Sequence, residues 1–221
     1  MTFSRICDRP PLSLTNDGNT LLDQSATVER GTVSNRELAA QYDEWDGIVF
    51  DFDGTLVKLI VDWPAVETEL ASTLADAGMK TAGATCWELL SEARDQGRQE
   101  LAESVLAPRE ITGARVSERL PLAADVPSIS GPVAVCSLNC EAACRTGLEV
   151  HELTDEVDAV VGRDTLDVWK PDPAPLLESI DRLGIDPANA LFIGDSPRDR
   201  RTAERANVDF RWVRDAIGSD H

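Results

Sequence analysis

The segment IVFDFDGTLV, residues 48–57, constrains this chain most, because a short apolar run passes directly into two acids and a glycine. Side chains alternate between the faces of an extended strand, so Asp51 and Asp53 share one side while Phe52 turns toward the core. Neighbouring carboxylates repel each other unless a cation or a proton lies between them. The segment predicts a buried strand that presents acids to a ligand; a strand followed by an ordinary Asp-Gly turn is the simpler alternative.

Three later segments argue against the simple turn. VAVCS is an apolar run that ends at Ser137, PDP follows Lys170, and ALFIGDSPRD carries Gly194, Asp195 and Asp199 after another apolar run. From Gly131 onward, such runs alternate with segments of helical spacing. One predicted helix follows VAVCS and ends at Gly147, and another covers residues 174–183 and ends at Gly184. This order predicts an α/β fold with a parallel sheet, helices on both faces, and ligands at the carboxyl ends of the strands.

The four motifs, in this order, resemble the haloacid dehalogenase superfamily in its phosphatase branch, and the phosphoglycolate phosphatase group most of all. The resemblance covers about residues 46–213. The dehalogenases of the superfamily lack the second acid of the first motif, so the presence of Asp53 points to phosphoryl chemistry. The resemblance implies a Rossmann-like parallel sheet and an inserted, mobile helical cap over the catalytic pocket.

The predicted domain organisation has three parts. Residues 1–45 are polar and lack a sustained period, which predicts an irregular extension with a short helix around residues 36–42. Residues 46–57 and 131–221 form the predicted α/β core. Residues 58–130 repeat apolar side chains at helical spacing and form the predicted helical cap.

The two acids of the first motif are the predicted catalytic residues. An aspartate that binds a metal through one oxygen can attack phosphorus with the other, so Asp51 would form an aspartyl-phosphate. Asp53 would protonate the leaving alcohol and later take a proton from the attacking water. The resemblance implies the same roles and adds a metal bond from the backbone carbonyl of Asp53.

Mg²⁺ is the predicted cofactor, because the chain offers hard oxygen ligands near the predicted nucleophile. The predicted ligands are Asp51, Asp53, Asp195 and Asp199. For Asp199 three roles are open: a metal ligand through water, a partner of Lys170, or a solvated acid on a helix. The resemblance favours a supporting role.

Ser137 and Lys170 are predicted to bind the non-bridging phosphate oxygens, since they supply a hydroxyl and a compact positive charge. Ser137 could instead be the N-cap of the next helix, and Lys170 an ordinary surface lysine. The chain has only three lysines against eighteen arginines, which favours a function for this one. The predicted phosphate-binding set also includes Gly54, Thr55 and Asn139; relatives often place an amide directly after the hydroxyl residue, one position earlier than Asn139.

The chain carries 40 acids against 21 bases, a net charge of −19. This composition is typical of a halophilic cytoplasm, where salt screens the repulsion, and an acidic mesophilic protein is the alternative. Such a surface argues against a nucleic-acid partner. No run approaches the ~18 to 20 apolar residues of a membrane span, and the N-terminus lacks the apolar stretch of a signal peptide, so the sequence predicts a cytoplasmic protein without membrane segments.

The five cysteines are odd in number and predict no disulfide framework in such a compartment. Three of them recur every four residues, which suggests either a metal site or, more simply, buried small apolar residues: Cys136, Cys140 and Cys144. His151 and His221 have no evident partners in the sequence. Four residues of the predicted cap either line the substrate pocket or form the core of the cap: Trp63, Trp87, Leu89 and Leu90.

The sequence therefore predicts a Mg²⁺-dependent phosphatase that acts on a small organic phosphate monoester, such as phosphoglycolate or a sugar phosphate. A phosphomutase of the β-phosphoglucomutase type would use the same residues. A non-catalytic binding protein is a third possibility, although the intact set of acids argues against it. The sequence carries no signal for the oligomeric state.

Overall fold

The computed structural model describes residues 40–217 of the chain. Five strands form the central sheet in the spatial order β5-β4-β1-β6-β7. Their bounds are β1 (Gly47–Phe50), β4 (Val133–Cys136), β5 (Ala159–Val161), β6 (Ala190–Gly194) and β7 (Asp209–Trp212). Every neighbouring pair is parallel. The predicted α/β, Rossmann-like fold is therefore confirmed.

Helices cover both faces of this sheet. Ile48 and Phe50 pack on the face of α4 (Glu141–Val150), whereas Val49 packs on the face of α5 (Ala174–Leu183) and α6 (Pro197–Ala206). The short helix α7 (Val213–Ala216) also lies on the α4 face. All four residues of β1 are buried, because helices cover both faces of the sheet. A strand that is covered on both faces favours an uninterrupted run of apolar residues. Each large apolar side chain buried in this way contributes about 1.5–3 kcal/mol.

The helix after β4 runs past the glycine that the sequence pattern suggested as its end. α4 continues to Val150 and has His151 at its C-cap. A Cβ atom at Gly147 would lie 2.5 Å from Cζ of Phe52. The glycine therefore allows close packing against the Phe52 ring and does not stop the helix.

Three helices lie between β2 (Val57–Lys58) and β3 (Glu118–Arg119), two short strands that pair antiparallel. They are α1 (Trp63–Asp76), α2 (Cys86–Asp95) and α3 (Gln99–Arg115). Asp62 caps α1, and Thr85 forms a capping box with Glu88 at the start of α2. The three helices share a hydrophobic core of their own, which includes Leu70, Leu89 and Leu106. We call these three helices the helical insertion.

Short 3-10 turns complete the connections between the elements: Pro121–Ala124, Val126–Ser128, Thr154–Glu156 and Pro187–Asn189. Within residues 40–217, no helix combines the length and the apolar character needed to cross a membrane. The predictions for residues 1–39, including most of the N-terminal extension, most of its short helix and Cys7, lie outside the described residues, as does His221.

Candidate active site

The predicted site residues meet at one edge of the sheet. Asp51, Ser137 and Asp195 each follow the end of a strand, and the three strands concerned are neighbours in the order β4-β1-β6. A cavity of about 500 Å³ opens there, between this edge and the helical insertion. Six of the predicted residues line it: Asp51, Asp53, Asn139, Lys170, Asp195 and Asp199.

Lys170 is buried at the base of the cavity and is not a surface lysine. Its Nζ donates to Oδ1 of Asp51 at 2.8 Å, to Oδ1 of Asp199 at 2.5 Å and to the carbonyl of Cys136 at 3.0 Å. All three donors of the ammonium are thereby used. Burial opposes the charged form, but the Asp51 and Asp199 carboxylates outweigh burial and raise the pKa of Lys170.

Asp51 is the buried carboxylate at the centre of this arrangement. Burial raises its pKa to about 7, with Lys170 opposing the shift and Asp199 adding to it. Oδ2 of Asp51 lies 3.4 Å from the hydroxyl of Thr55, which places Thr55 beside the cavity lining. The ionised form of Asp51 therefore depends on the positive charge of Lys170.

Within residues 40–217, three acids are close enough together to hold a metal ion. Asp51, Asp195 and Asp199 each place one carboxylate oxygen within 4.8 Å of the others. Asp195 is exposed to the cavity, and burial first, then Asp199, raises its pKa. An oxygen-only donor set of this kind fits a hard divalent cation such as Mg²⁺.

Asp199 is buried and held on both sides. While Oδ1 accepts from Lys170, Oδ2 accepts from the backbone N–H of Ser196 at 3.0 Å and from its hydroxyl. The two residues form a capping box at the start of α6. Of the three roles that the sequence left open, a solvated helix acid is therefore wrong, and the contact with Lys170 is present.

The loop after β1 approaches Asp195 closely. Gly54 has φ +87°, and a Cβ atom at this position would lie 2.3 Å from Oδ2 of Asp195. Only glycine therefore fits this loop without displacing the acid. Asp53 lines the cavity with its Oδ1 accepting from the backbone N–H of Leu59 at 2.8 Å, and burial raises its pKa although this hydrogen bond opposes the shift.

The Ser137 hydroxyl pairs with Asn139 and does not cap α4. Ser137 Oγ donates to Oδ1 of Asn139 at 3.2 Å and accepts from its backbone N–H at 3.1 Å. The N-cap residue of α4 is Cys140, whose side chain makes no capping hydrogen bond. Its backbone N–H donates instead to Oε2 of Glu110 at 2.9 Å. The alternative of Ser137 as an N-cap is therefore wrong, and a glutamate of α3 supplies the acceptor.

A buried arginine that the sequence analysis missed fixes this glutamate. Arg163 donates from Nη1 to Oε1 of Glu110 at 2.6 Å and to the carbonyl of Leu138 at 2.6 Å. It also contacts Glu103 through two hydrogen bonds of 2.8 and 2.6 Å. Burial opposes the charge of Arg163, but the two glutamates outweigh burial and raise its pKa. The cluster connects α3 to the loop of residues 137–140. No local sequence motif predicts these contacts.

Two arginine–tryptophan contacts join α2 to the α/β part of the chain, and the sequence analysis missed both. Cζ of Arg198 in α6 lies 4.7 Å from the ring centroid of Trp87, and Cζ of Arg94 in α2 lies 4.2 Å from that of Trp169. Arg198, Trp87 and Trp63 line the cavity, whereas Leu89 and Leu90 are buried in the core of the helical insertion.

The three regularly spaced cysteines are buried, and burial raises the pKa of Cys136 and of Cys140 to about 12. They lie outside the acid group described above, as expected for small apolar residues. His151, for which the sequence showed no evident partner, places its Nε2 2.9 Å from the hydroxyl of Ser117.

Comparisons with known proteins show which family the chain resembles. The family model described as haloacid dehalogenase-like hydrolase matches residues 130–213. A phosphoglycolate phosphatase from Rhodospirillum rubrum is 34% identical over 186 residues, which cover 73% of this chain and 76% of the relative. One from Cereibacter sphaeroides is 32% identical and covers 74% of this chain and 83% of the relative.

Solved structures share the fold. A structure from Lactobacillus plantarum has a TM-score of 0.55 at 24% identity and covers 80% of this chain and 89% of its own. CbbY from Rhodobacter sphaeroides, solved in complex with phosphate, has a TM-score of 0.53 at 16% identity and covers 76% of this chain and 85% of its own. The curated relatives show that the chain belongs to the haloacid dehalogenase-like hydrolases and is a phosphatase similar to the phosphoglycolate phosphatases.

Proposed function

We propose that this phosphatase hydrolyses a small organic phosphate monoester, phosphoglycolate or a sugar phosphate, through an aspartyl-phosphate on Asp51, and that it depends on Mg²⁺. One observation carries the proposal: Lys170 bridges Asp51 and Asp199 at the base of a cavity that Asp195 also lines. The cavity of about 500 Å³ has the size of a small-molecule site. The names of the curated relatives support phosphoglycolate as one candidate substrate.

In the first step, the carboxylate of Asp51 attacks phosphorus. Lys170 donates to Oδ1 of Asp51, whereas Oδ2 has a longer contact of 3.4 Å with the Thr55 hydroxyl. We therefore assign the attack to Oδ2. The new Asp51 O–P bond forms as the bond between phosphorus and the ester oxygen breaks. Asp53 gives its proton to that leaving oxygen, and its raised pKa favours the protonated form that this step needs.

In the second step, water attacks the phosphorus of the aspartyl-phosphate. Asp53, now ionised, takes a proton from this water, and inorganic phosphate leaves as Asp51 is regenerated. The two steps together return Asp53 to its starting protonation state. The hydrogen bond from Leu59 keeps the Asp53 carboxyl in place through the cycle.

The acid group fits Mg²⁺, and we assign the metal to Asp51, Asp195, Asp199 and the backbone carbonyl of Asp53. When bound, Mg²⁺ would neutralise charge between the carboxylates and the phosphate. We assign the binding of the phosphate oxygens to a second set of residues: Lys170, Gly54, Thr55, Ser137 and Asn139.

We propose that residues 58–130 act as a cap, over a core formed by residues 46–57 and 131–221. Trp63 and Trp87 of the helical insertion line the cavity, so closure of the cap would exclude water from the reacting phosphate. The net charge of −19 supports a cytoplasm of high salt as the setting, since the Debye length falls to about 3 Å at 1 M.

The test is phosphate release from a panel of phosphoglycolate, sugar phosphates, nucleotides and p-nitrophenyl phosphate, in high salt with Mg²⁺. Release should disappear in Asp51→Asn and persist in Asp186→Asn, a matched change at an exposed capping residue outside the cavity. A phosphate that returns to the sugar would instead indicate a phosphomutase. If folded protein shows no Asp51-dependent turnover of any compound, the phosphatase proposal fails and a binding role remains.

A further inference from the structure

Arg198 stands out among the charged residues of the cavity wall. The wall carries five acids and two bases, and the bases are Lys170 and Arg198. Lys170 is already engaged by Asp51 and Asp199. Arg198, by contrast, has no salt bridge within residues 40–217. It is therefore the basic side chain of the wall that remains available for a negative group of a ligand.

The surroundings of Arg198 hold its guanidinium in position. The side chain is half-buried, and its Cζ lies over the ring of Trp87, which also lines the cavity. A cation over an aromatic face is attracted to the ring, so the stack restricts the guanidinium without neutralising its charge. A half-buried guanidinium has lost part of its hydration.

Arg94 provides the comparison within the same molecule. It stacks on Trp169 in the same manner and crosses the same boundary between α2 and the α/β part, but it also pairs with Asp95 at 3.2 Å. Neither Arg94 nor Trp169 is part of the cavity wall. The Arg94–Trp169 contact shows that an arginine can join α2 to the α/β part from outside the cavity. Holding α2 in place therefore does not explain why the charge of Arg198 lies in the cavity wall.

We infer that Arg198 is a specificity-determining residue, whose guanidinium binds a carboxylate on the tail of the substrate. The inference rests on the proposed function and narrows it to small phosphate monoesters that carry a carboxylate. Arg198 directly precedes Asp199 in α6, and Arg198, Asp199 and Lys170 line the same cavity, so one ligand in this cavity can contact both ends of the site.

The chemistry of the wall favours a carboxylate over a hydroxyl at this position. The planar fork of a guanidinium matches a carboxylate with two parallel hydrogen bonds. A neutral tail would leave a partly dehydrated cation without a counter-charge, which costs binding. Glu67, the acid of the helical insertion on this wall, accepts the backbone N–H of Cys86 at 2.8 Å and makes no salt bridge with Arg198.

The test compares phosphoglycolate with 2-hydroxyethyl phosphate, which has a tail of similar length but no charge. The quantity measured is the ratio of kcat/KM for the two compounds, in Arg198→Met and in the matched control Arg94→Met. We expect Arg198→Met to lower the ratio about 10- to 100-fold, mainly through phosphoglycolate, because one charge-assisted contact is lost. Arg94→Met should change kcat/KM for both compounds by the same factor, so that their ratio stays as in the native protein. Arg198→Lys should give a ratio between those of Arg198→Met and the native protein.

Binding measured by calorimetry separates this inference from the proposed function. In the Asp51→Asn background, phosphoglycolate should bind more tightly than 2-hydroxyethyl phosphate, and Arg198→Met should remove the difference. If the native protein turns over neither compound but this binding difference is found, the proposed hydrolysis is wrong and the role of Arg198 stands. The inference would be overturned if Arg198→Met lowered kcat/KM equally for both compounds. It would also be overturned if the native protein showed no preference for phosphoglycolate in binding or in turnover.

Discussion

Nζ of Lys170 lies 2.8 Å from Oδ1 of Asp51, and both side chains are buried. Asp199 contacts the same ammonium, so a single lysine balances two carboxylates at the base of the cavity. A buried charge that loses its partner is costly, because burial excludes the water that would otherwise solvate it.

Replacement of this lysine should therefore destabilise the protein strongly. Lys170→Met should lower the free energy of unfolding by about 3 kcal/mol in metal-free buffer. The control is Lys58→Met, since Lys58 is exposed and lies 3.9 Å from Glu118, and its loss should cost less than about 0.5 kcal/mol. Denaturant titrations of both variants in high salt give the comparison. Equal costs would show that Lys170 does not stabilise the acids as described.

The Arg163–Glu110 contact should show strong energetic coupling. Arg163→Met and Glu110→Met should each cost about 3–5 kcal/mol, and the double variant should cost less than their sum by about 1–3 kcal/mol. Arg109 of α3 and Glu69 of α1 form the control, because they pair at 2.7 Å and both side chains are exposed. Their coupling should not exceed about 0.5 kcal/mol. A double-mutant cycle with additive effects at Arg163 and Glu110 would contradict the assignment.

A methyl group at Gly54 should weaken metal binding. The new Cβ atom would displace the Asp195 carboxylate, so Gly54→Ala should reduce Mg²⁺ affinity about 10- to 100-fold. Gly83→Ala is the matched control, because Gly83 also has a positive φ, +74°, but nothing lies within 4 Å of its Cβ position. Calorimetric Mg²⁺ titrations should thus separate the steric effect from backbone strain. Unchanged affinity in Gly54→Ala would remove Asp195 from the metal site.

His151 should make stability depend on pH. Burial, and then Arg119, lower the pKa of His151 below its ordinary 6.5, so folding favours the neutral ring. Its contribution is fully present above pH 6.5 and is lost as the pH falls through the lowered pKa. The free energy of unfolding should fall less steeply between about pH 7 and 5 in His151→Gln than in the native protein. The same slope in both proteins would contradict this assignment.

Local chemistry was sufficient for much of the fold. The helix predicted over 174–183 is observed as Ala174–Leu183, because its apolar stripe ends at a glycine that adopts a left-handed conformation. The strand ends were equally visible, since apolar runs stop where polar side chains begin. Gly147 shows the limit of such signals: glycine serves as a stop in one place and as a packing surface for Phe52 in another.

Some residues of the candidate site could be predicted from the sequence, and others could not. Asp51 and Asp195 directly follow apolar runs, and Lys170 is one of only three lysines, so the sequence alone predicted these three residues. Glu110 and Arg163 could not be predicted, because their contacts join segments 53 residues apart and depend on how α3 packs against the sheet. Arg198 is one of eighteen arginines in the sequence, and its place in the cavity wall is evident only from the structure.

The most direct test of the account is the chemical trapping of the intermediate. Asp53→Asn should slow the second step most, because the attacking water loses its base, and p-nitrophenyl phosphate needs little protonation of its leaving group. This variant should release about one equivalent of nitrophenol in a burst and then stall. Mass spectrometry of the quenched protein should find one phosphoryl group on the peptide that contains Asp51. Hydrolysis without a phosphorylated peptide, or with the phosphoryl group on another residue, would contradict the mechanism.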